Sequence, residues 1–212
     1  MNYFQTISKN VQVKNTIKKS RFIASVKKIK SETEARSFIK KIIQQFPDAT
    51  HHCWAYQIGN TDDETVQFSD GGEPANSAGT PILQAIKRER LTNVMVVVSR
   101  YFGGIKLGIS GLIKAYRDTA LMGLKEAGKV EQYSLQGYII ENVQYQALGN
   151  ILQSIESRNG RIDNIEYGKK IKIKIYLPEH LLDWITQLVK NSTQGIGTIR
   201  KGTVRWYQKK QL

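Results

Sequence analysis

The chain has 212 residues and a 40% hydrophobic share, enough for one large domain or for two compact ones with real cores. Its 32 Lys and Arg against 18 Asp and Glu leave a formal net charge of +14, which attracts polyanions through salt-screened forces; the plainer reading is a charge that only affects solubility and adhesion. The one cysteine, Cys53, excludes an intramolecular disulfide, the start "MNYFQTISKN" lacks the apolar stretch of a secretory signal, and no apolar run nears the ~20 residues that span a bilayer, so a cytoplasmic protein with no membrane association is predicted.

Before Glu32 there is no acidic residue, while Lys9, Lys14, Lys18, Lys19, Arg21, Lys27, Lys28 and Lys30 crowd together. Val11, Val13 and Ile17, then Phe22, Ala24 and Val26, alternate with polar neighbours and predict paired antiparallel strands with a basic outer face. "SETEARSFIKKIIQQF" opens with a capping box, Ser31 and Glu34, and repeats Ala35, Phe38, Ile39, Ile42 and Phe46 at helical spacing up to Pro47. "HHCWAYQIG" and "TVQFS" read as strands around an acidic turn, "TDDE". A helix follows from Gly79, with Pro81 in its first turn. "NVMVVV" predicts a strand buried on both faces. Leu112, Tyr116, Ala120, Leu124 and Ala127 form the apolar stripe of a long helix stopped by Gly128.

Beyond about residue 130 the order is strand, helix, two strands, helix, strand. Leu148, Ile151, Leu152 and Ile155 line the first helix, and Ile171, Ile173, Ile175 and Leu177 alternate along the strand after Gly168. The βαββαβ order predicts a ferredoxin-like sheet covered by two helices. The fold class is therefore α+β, two α/β sandwich domains over 1–130 and 131–212, with a boundary between Gly128 and Gln132.

The stretch "VVVSRYFGGIKLGISG" combines a buried strand, a glycine turn and a helix start. Backbone N–H groups of such a turn can form an anion nest with Arg100 or Lys106 beside it, although it matches neither a P-loop nor a dinucleotide fingerprint. Alternatively Gly103, Gly104, Gly108 and Gly111 serve the turn alone, with Tyr101 and Phe102 filling the core. In "SDGGEPANSAGTP", Asp70 and Glu73, with Asp62, Asp63 and Glu64 nearby, are either carboxylates for a hard metal or caps of the next helix; no metal is assigned. His51 and Cys53 share a strand face, as a Cys-His pair would, or Cys53 is a small buried residue. At the end, Arg200, Lys201, Arg205, Lys209 and Lys210 interleave with Trp206 and Tyr207, either to contact phosphates and bases or as a charged edge strand.

"KKSRFIASV", "HHCWAY", "SDGGEPANSAGTPILQAI", "NVMVVVSRYFGGIKLG" and "GLIKAYRDTA" together resemble the signature of the IMPACT/YigZ family. The resemblance carries over Asp70, Gly72, Glu73, Pro74, Ala78, Gly79 and Pro81, then Arg100 to Gly104, Lys106, Leu107, Gly108, Gly111 and Leu112. This chain has Gly71 where many relatives have a second aspartate, Asn76 and Ser77 where Gly-Thr is common, and Lys114 in place of arginine, which loses bidentate geometry. The resemblance implies a first domain like the second domain of ribosomal protein S-five, a fold shared with a domain of elongation factor G. It also implies a DUF1949-type ferredoxin-like second domain. Eukaryotic members restrain the kinase that senses uncharged tRNA by competing for its ribosome-associated co-activator, through regions this chain lacks.

Together these readings predict a non-catalytic regulator of translation that binds RNA or the ribosome, or a protein partner of that machinery, without a cofactor. Lys18, Lys19, Arg21, Lys27 and Lys28 are the phosphate contacts, and Arg100, Tyr101, Phe102, Gly103, Gly104, Lys106 and Gly108 a more selective anion site. The alternatives are an enzyme acting on a phosphorylated small molecule at a face formed by Asp70, Glu73, His51 and Arg100, and a protein-interaction module.

Overall fold

The computed structural model describes residues 3–59 and 64–208; Asp62, Asp63, Lys209 and Lys210 lie outside the described residues. The chain divides into two compact units, Phe4–Glu131 and a second one from Gln132 onward that also takes in Tyr3.

The chain opens with β1 (Tyr3–Ile7), and the first unit then holds, in chain order, β2 (Val11–Ile17), β3 (Ser20–Lys28), α1 (Glu32–Gln45), β4 (His51–Ile58), β5 (Thr65–Ser69), α2 (Gly79–Arg88), β6 (Val94–Tyr101) and α3 (Gly108–Ala127). Its sheet is antiparallel in the order β2–β3–β6–β4–β5. β6 is central because both of its faces are apolar. Val94, Val96 and Val98 pack with α2 and α3, and Met95 and Val97 with α1, all fully buried. The layers are thus α1, sheet, then α2 with α3. The strand pattern of β2 and β3 places Val13 and Ala24 opposite one another, with Asn15 beside Phe22.

α1 begins where the capping pattern puts it. Ser31 Oγ accepts from Glu34 N at 3.2 Å, but the Glu34 carboxylate reaches back to Lys30 N at 2.9 Å, one residue before the box partner. β1 is an addition that the short, irregular "YFQTI" did not signal; it buries Ile7, and its Gln5 carbonyl accepts from Thr92 N at 2.9 Å.

The second unit contains α4 (Tyr145–Ser157), β8 (Arg161–Glu166), β9 (Ile171–Leu177), α5 (Leu182–Ser192) and β10 (Thr198–Gln208), preceded by β7 (Lys129–Val143), which spans the boundary between units. The antiparallel order β10–β7–β9–β8 with βαββαβ connectivity is ferredoxin-like. Its core is the alternating isoleucine row of β9, Ile171, Ile173 and Ile175, against Ile151 and Ile155 of α4 and Ile185 and Val189 of α5. The fold class is therefore α+β, with an antiparallel sheet and covering helices in each unit.

Ile82 and Ile42 occupy opposite faces of the first sheet and are fully buried. Ile82→Ala and Ile42→Ala are each expected to lower the unfolding free energy by about 2–5 kcal/mol in a urea titration. Ile109→Ala, at a position 62% exposed, should change it by less than about 0.5 kcal/mol.

Candidate functional site

Register brings Phe22 of β3, Arg100 of β6 and His51 of β4 side by side. Arg100 continues the Val94, Val96, Val98 row, so strand alternation carries its guanidinium under the helices. There it meets Glu73 from the β5–α2 loop, Nη1 to Oε1 at 2.6 Å, with side chains 6% and 3% exposed. Tyr116 of α3 donates its hydroxyl to the same oxygen at 2.7 Å. His51 Nδ1 donates to the Gly71 carbonyl at 3.0 Å and so carries the proton, since a carbonyl only accepts, while His51 Nε2 lies 3.9 Å from Glu73 Oε2. Arg100 Nη2 donates to Ser20 Oγ at 3.4 Å, and its Nε has no hydrogen-bond partner among the described residues.

Asp70 has a different task. Its Oδ1 accepts from Ala78 N and Gly79 N at 3.0 and 2.8 Å, and its Oδ2 from Asn76 N at 2.9 Å. The carboxylate therefore serves the start of α2, where free N–H groups and the helix dipole favour negative charge. No group of His, Cys, Asp and Glu among the described residues could hold a metal ion. Gly71, at φ +55, lies so close to β4 that a Cβ there would sit 2.1 Å from His52 O. Gly72 faces the His51 ring, and Pro74 accepts at its carbonyl from Ser77 N at 3.0 Å.

Cys53 does share its face with His51, but its Sγ donates to the Asp70 carbonyl at 2.9 Å. Burial, reinforced by the Glu73 and Asp70 carboxylates, pushes its thiol up to about 12. Both features disfavour the thiolate that a nucleophilic Cys-His pair needs near neutral pH. Burial also pushes the Tyr116 hydroxyl far above its ordinary range, which keeps it protonated as the donor to Glu73.

The surface above this network is built from two turns. Lys18 and Lys19, at φ 44 and 65, form the two-residue tip of the β2–β3 hairpin. Hairpin twist demands this left-handed geometry, normally met by Asn-Gly, and lysines adopt it at a cost of roughly 1–2 kcal/mol per residue. The tip is fastened to the glycine turn. Ser20 Oγ accepts from Gly103 N at 3.2 Å, and a Cβ on Gly103 would lie 2.1 Å from the Lys19 carbonyl carbon. Arg21 stacks over the Tyr101 ring at 4.0 Å, and Tyr101 donates its hydroxyl to Asp48 at 2.9 Å.

Phe102 does not fill the core: β6 ends at Tyr101, the chain leaves the sheet, and the residue is 49% exposed. Ile105 and Ile109 follow at 41% and 62%, with Gly104, Lys106 and Gly108 also exposed. α3 then starts at Gly108 with no side-chain cap.

Lys18, Lys19, Arg21, Tyr101 and Phe102 thus come together around Gly103, with Gly104, Lys106 and Gly108 continuing the same turn. Arg100 lies beneath them with its charge met by Glu73, so it is not a surface anion donor. Lys27 and Lys28 sit at the far end of β3, about 26 Å from Ser20 along a strand of this length. There Lys27 covers the Phe38 ring at 5.3 Å and Lys28 N donates to Asn10 Oδ1. In the second unit, Arg200, Lys201 and Arg205 are paired with Glu141, Glu179 and Asp163. Sequence reasoning missed Ser20, and it read Tyr116 only as apolar. A tyrosine on a core-facing stripe needs a partner for its hydroxyl, which was the available signal.

The fold and these locked loops define a two-domain α+β protein whose glycine turns organise a buried ion pair beneath a basic, partly aromatic surface. The model of the Impact N-terminal domain matches residues 18–124, and that of a domain of unknown function, DUF1949, matches 142–195. IMPACT family member YvyE of Bacillus subtilis (strain 168) is 36% identical over 197 residues, covering 91% of this chain and 88% of YvyE. IMPACT family member YigZ of Escherichia coli (strain K12) is 34% identical over 169 residues, covering 79% and 82%. A solved structure described as that of an hypothetical protein superposes with a TM-score of 0.67 at 30% identity, over 94% of this chain and 97% of that one. The chain belongs to the IMPACT family.

Glu73→Ala strands a buried guanidinium and is expected to cost about 3–5 kcal/mol in denaturant unfolding, part of which the added change Arg100→Met restores. The native protein should resist iodoacetamide at pH 8, with Cys53 alkylated only on unfolding, as followed by mass spectrometry.

Proposed function

We propose that this chain is a non-catalytic IMPACT-family regulator that acts on translation by binding RNA or the ribosome. The observation that carries this reading is the fastening of the Lys18–Lys19 tip to the glycine turn, which gathers Lys18, Lys19, Arg21 and Lys106 beside half-buried Tyr101 and exposed Phe102 on a chain of net charge +14. The enzyme alternative needs Asp70, Glu73 and Arg100 open to a substrate. Asp70 is committed to backbone donors on both oxygens, while Glu73 and Arg100 neutralise one another out of solvent. The buried set therefore supports a structural role, and the surface above it the binding one.

The hairpin supplies a variant that keeps the fold. Lys18→Asn with Lys19→Gly places the favoured pair in the left-handed turn, so it should raise stability by about 1 kcal/mol while removing two cations. Binding to ribosomal subunits and to a short RNA is measured by anisotropy across a potassium chloride series. The wild-type affinity should fall linearly on logarithmic axes, and the variant's slope should be shallower by about 1.4 to 1.8. Absence of salt-dependent binding by the wild type, or an unchanged slope in the variant, overturns the proposal.

A further inference from the structure

We infer that the ligand class of this face is an unpaired RNA strand, one base of which stacks on Phe102; the inference rests on the polyanion-binding reading above. Three observations carry it. The first is that the ring is presented rather than merely exposed. Phe102 N donates to Thr50 Oγ1 at 3.1 Å, and the guanidinium carbon of buried Arg100 lies 5.6 Å from the ring centroid. Arg100 therefore sits against the ring, while the residue stays 49% exposed.

The second observation is adjacency. The residue after Phe102 is Gly103, whose Cα touches the backbone of Lys19 so closely that no side chain fits between them. A base on the Phe102 ring thus has its own phosphates beside the hairpin lysines, with exposed Lys106 further along the same turn. Backbone cations plus an aromatic platform form the chemistry that recognises single strands, because every base has a stacking face. A double helix offers phosphates to the lysines but keeps its bases stacked within, and leaves the ring uncovered.

The third is the apolar margin. Ile105 and Ile109 extend the exposed surface from the ring toward the uncapped start of α3. Apolar side chains held open on a fixed turn gain free energy when a sugar or base edge covers them. Charge complementarity selects a nucleic acid strand over an apolar peptide as that cover, given Lys18, Lys19, Arg21 and Lys106 around the patch.

The test uses the full chain and a 12-nucleotide RNA carrying 2-aminopurine, alone and annealed to its complement, with wild type, Phe102→Ala and Phe102→Trp. Circular dichroism confirms that each variant is folded. The wild type is expected to prefer the single strand by at least about tenfold and to quench 2-aminopurine on binding. Phe102→Ala should lose roughly 5- to 150-fold in single-strand affinity, the range spanned by one base–aromatic stack. Its salt slope should stay at the wild-type value, and Phe102→Trp should restore both affinity and quenching. Equal affinity for single strand and duplex, with no effect of Phe102→Ala, overturns this inference and leaves the polyanion reading standing. Failure of the wild type to bind either RNA overturns both.

Discussion

The Glu73–Arg100 pair is the constraint on which the first unit's functional end depends. A carboxylate and a guanidinium taken out of water lose their hydration, and only close geometry with further hydrogen bonds offsets that loss. Here the 2.6 Å contact is supplemented by the Tyr116 hydroxyl on the acid and Ser20 on the base. One interaction therefore joins the β5–α2 loop, the central strand β6, helix α3 and the start of β3. Loosening any member leaves another charge or donor without its partner, so these segments hold their places together.

The same constraint explains why the loops are rich in glycine. Two backbones must pass close to strands: Gly71 against His52 and Gly103 against Lys19, each where a Cβ would fall 2.1 Å from a backbone atom, far inside van der Waals contact. Glycine at these positions lets the loop reach inward far enough for Glu73 to meet Arg100, and lets the turn after β6 lie on the hairpin tip. The left-handed lysines of that tip are tolerated because the surrounding contacts hold the turn. Backbone strain kept at an exposed cationic tip is the pattern expected where presentation of the side chains matters more than stability.

Net charge does not locate a binding surface. The second unit carries an aromatic and basic last strand, yet its Arg200, Lys201 and Arg205 are matched by acids across the sheet or from a neighbouring segment. Arg205 also covers the Tyr176 ring at 4.4 Å, so part of its surface is engaged within the fold. At the hairpin and glycine turn, exposed Lys18 and Lys19 stand beside half-exposed Phe102. Composition suggests the proposed class of partner, and placement the proposed face.

Much of the architecture was legible in the residues. Ser31 and Glu34 marked the start of α1, the unbroken "VMVVV" marked a strand buried on both sides, and the isoleucine row of β9 fixed which side of the second sheet is covered. These features rest on local geometry, in which a period of 2 or 3.6 reports which face is buried. The glycine stretches and Arg100 also drew attention by type and spacing. What the tertiary structure alone decided was their roles. Glu73 and Arg100 are separated by 27 residues, and Gly103 and Ser20 by 83, so no local pattern reveals that they meet. Nor could periodicity tell that Phe102 leaves the sheet, or that one basic run is divided between opposite ends of β3. Local sequence sets the elements through backbone preference and burial, whereas the partners of loop and strand-end residues are set by contacts between distant segments, which exist only once the sheet has formed.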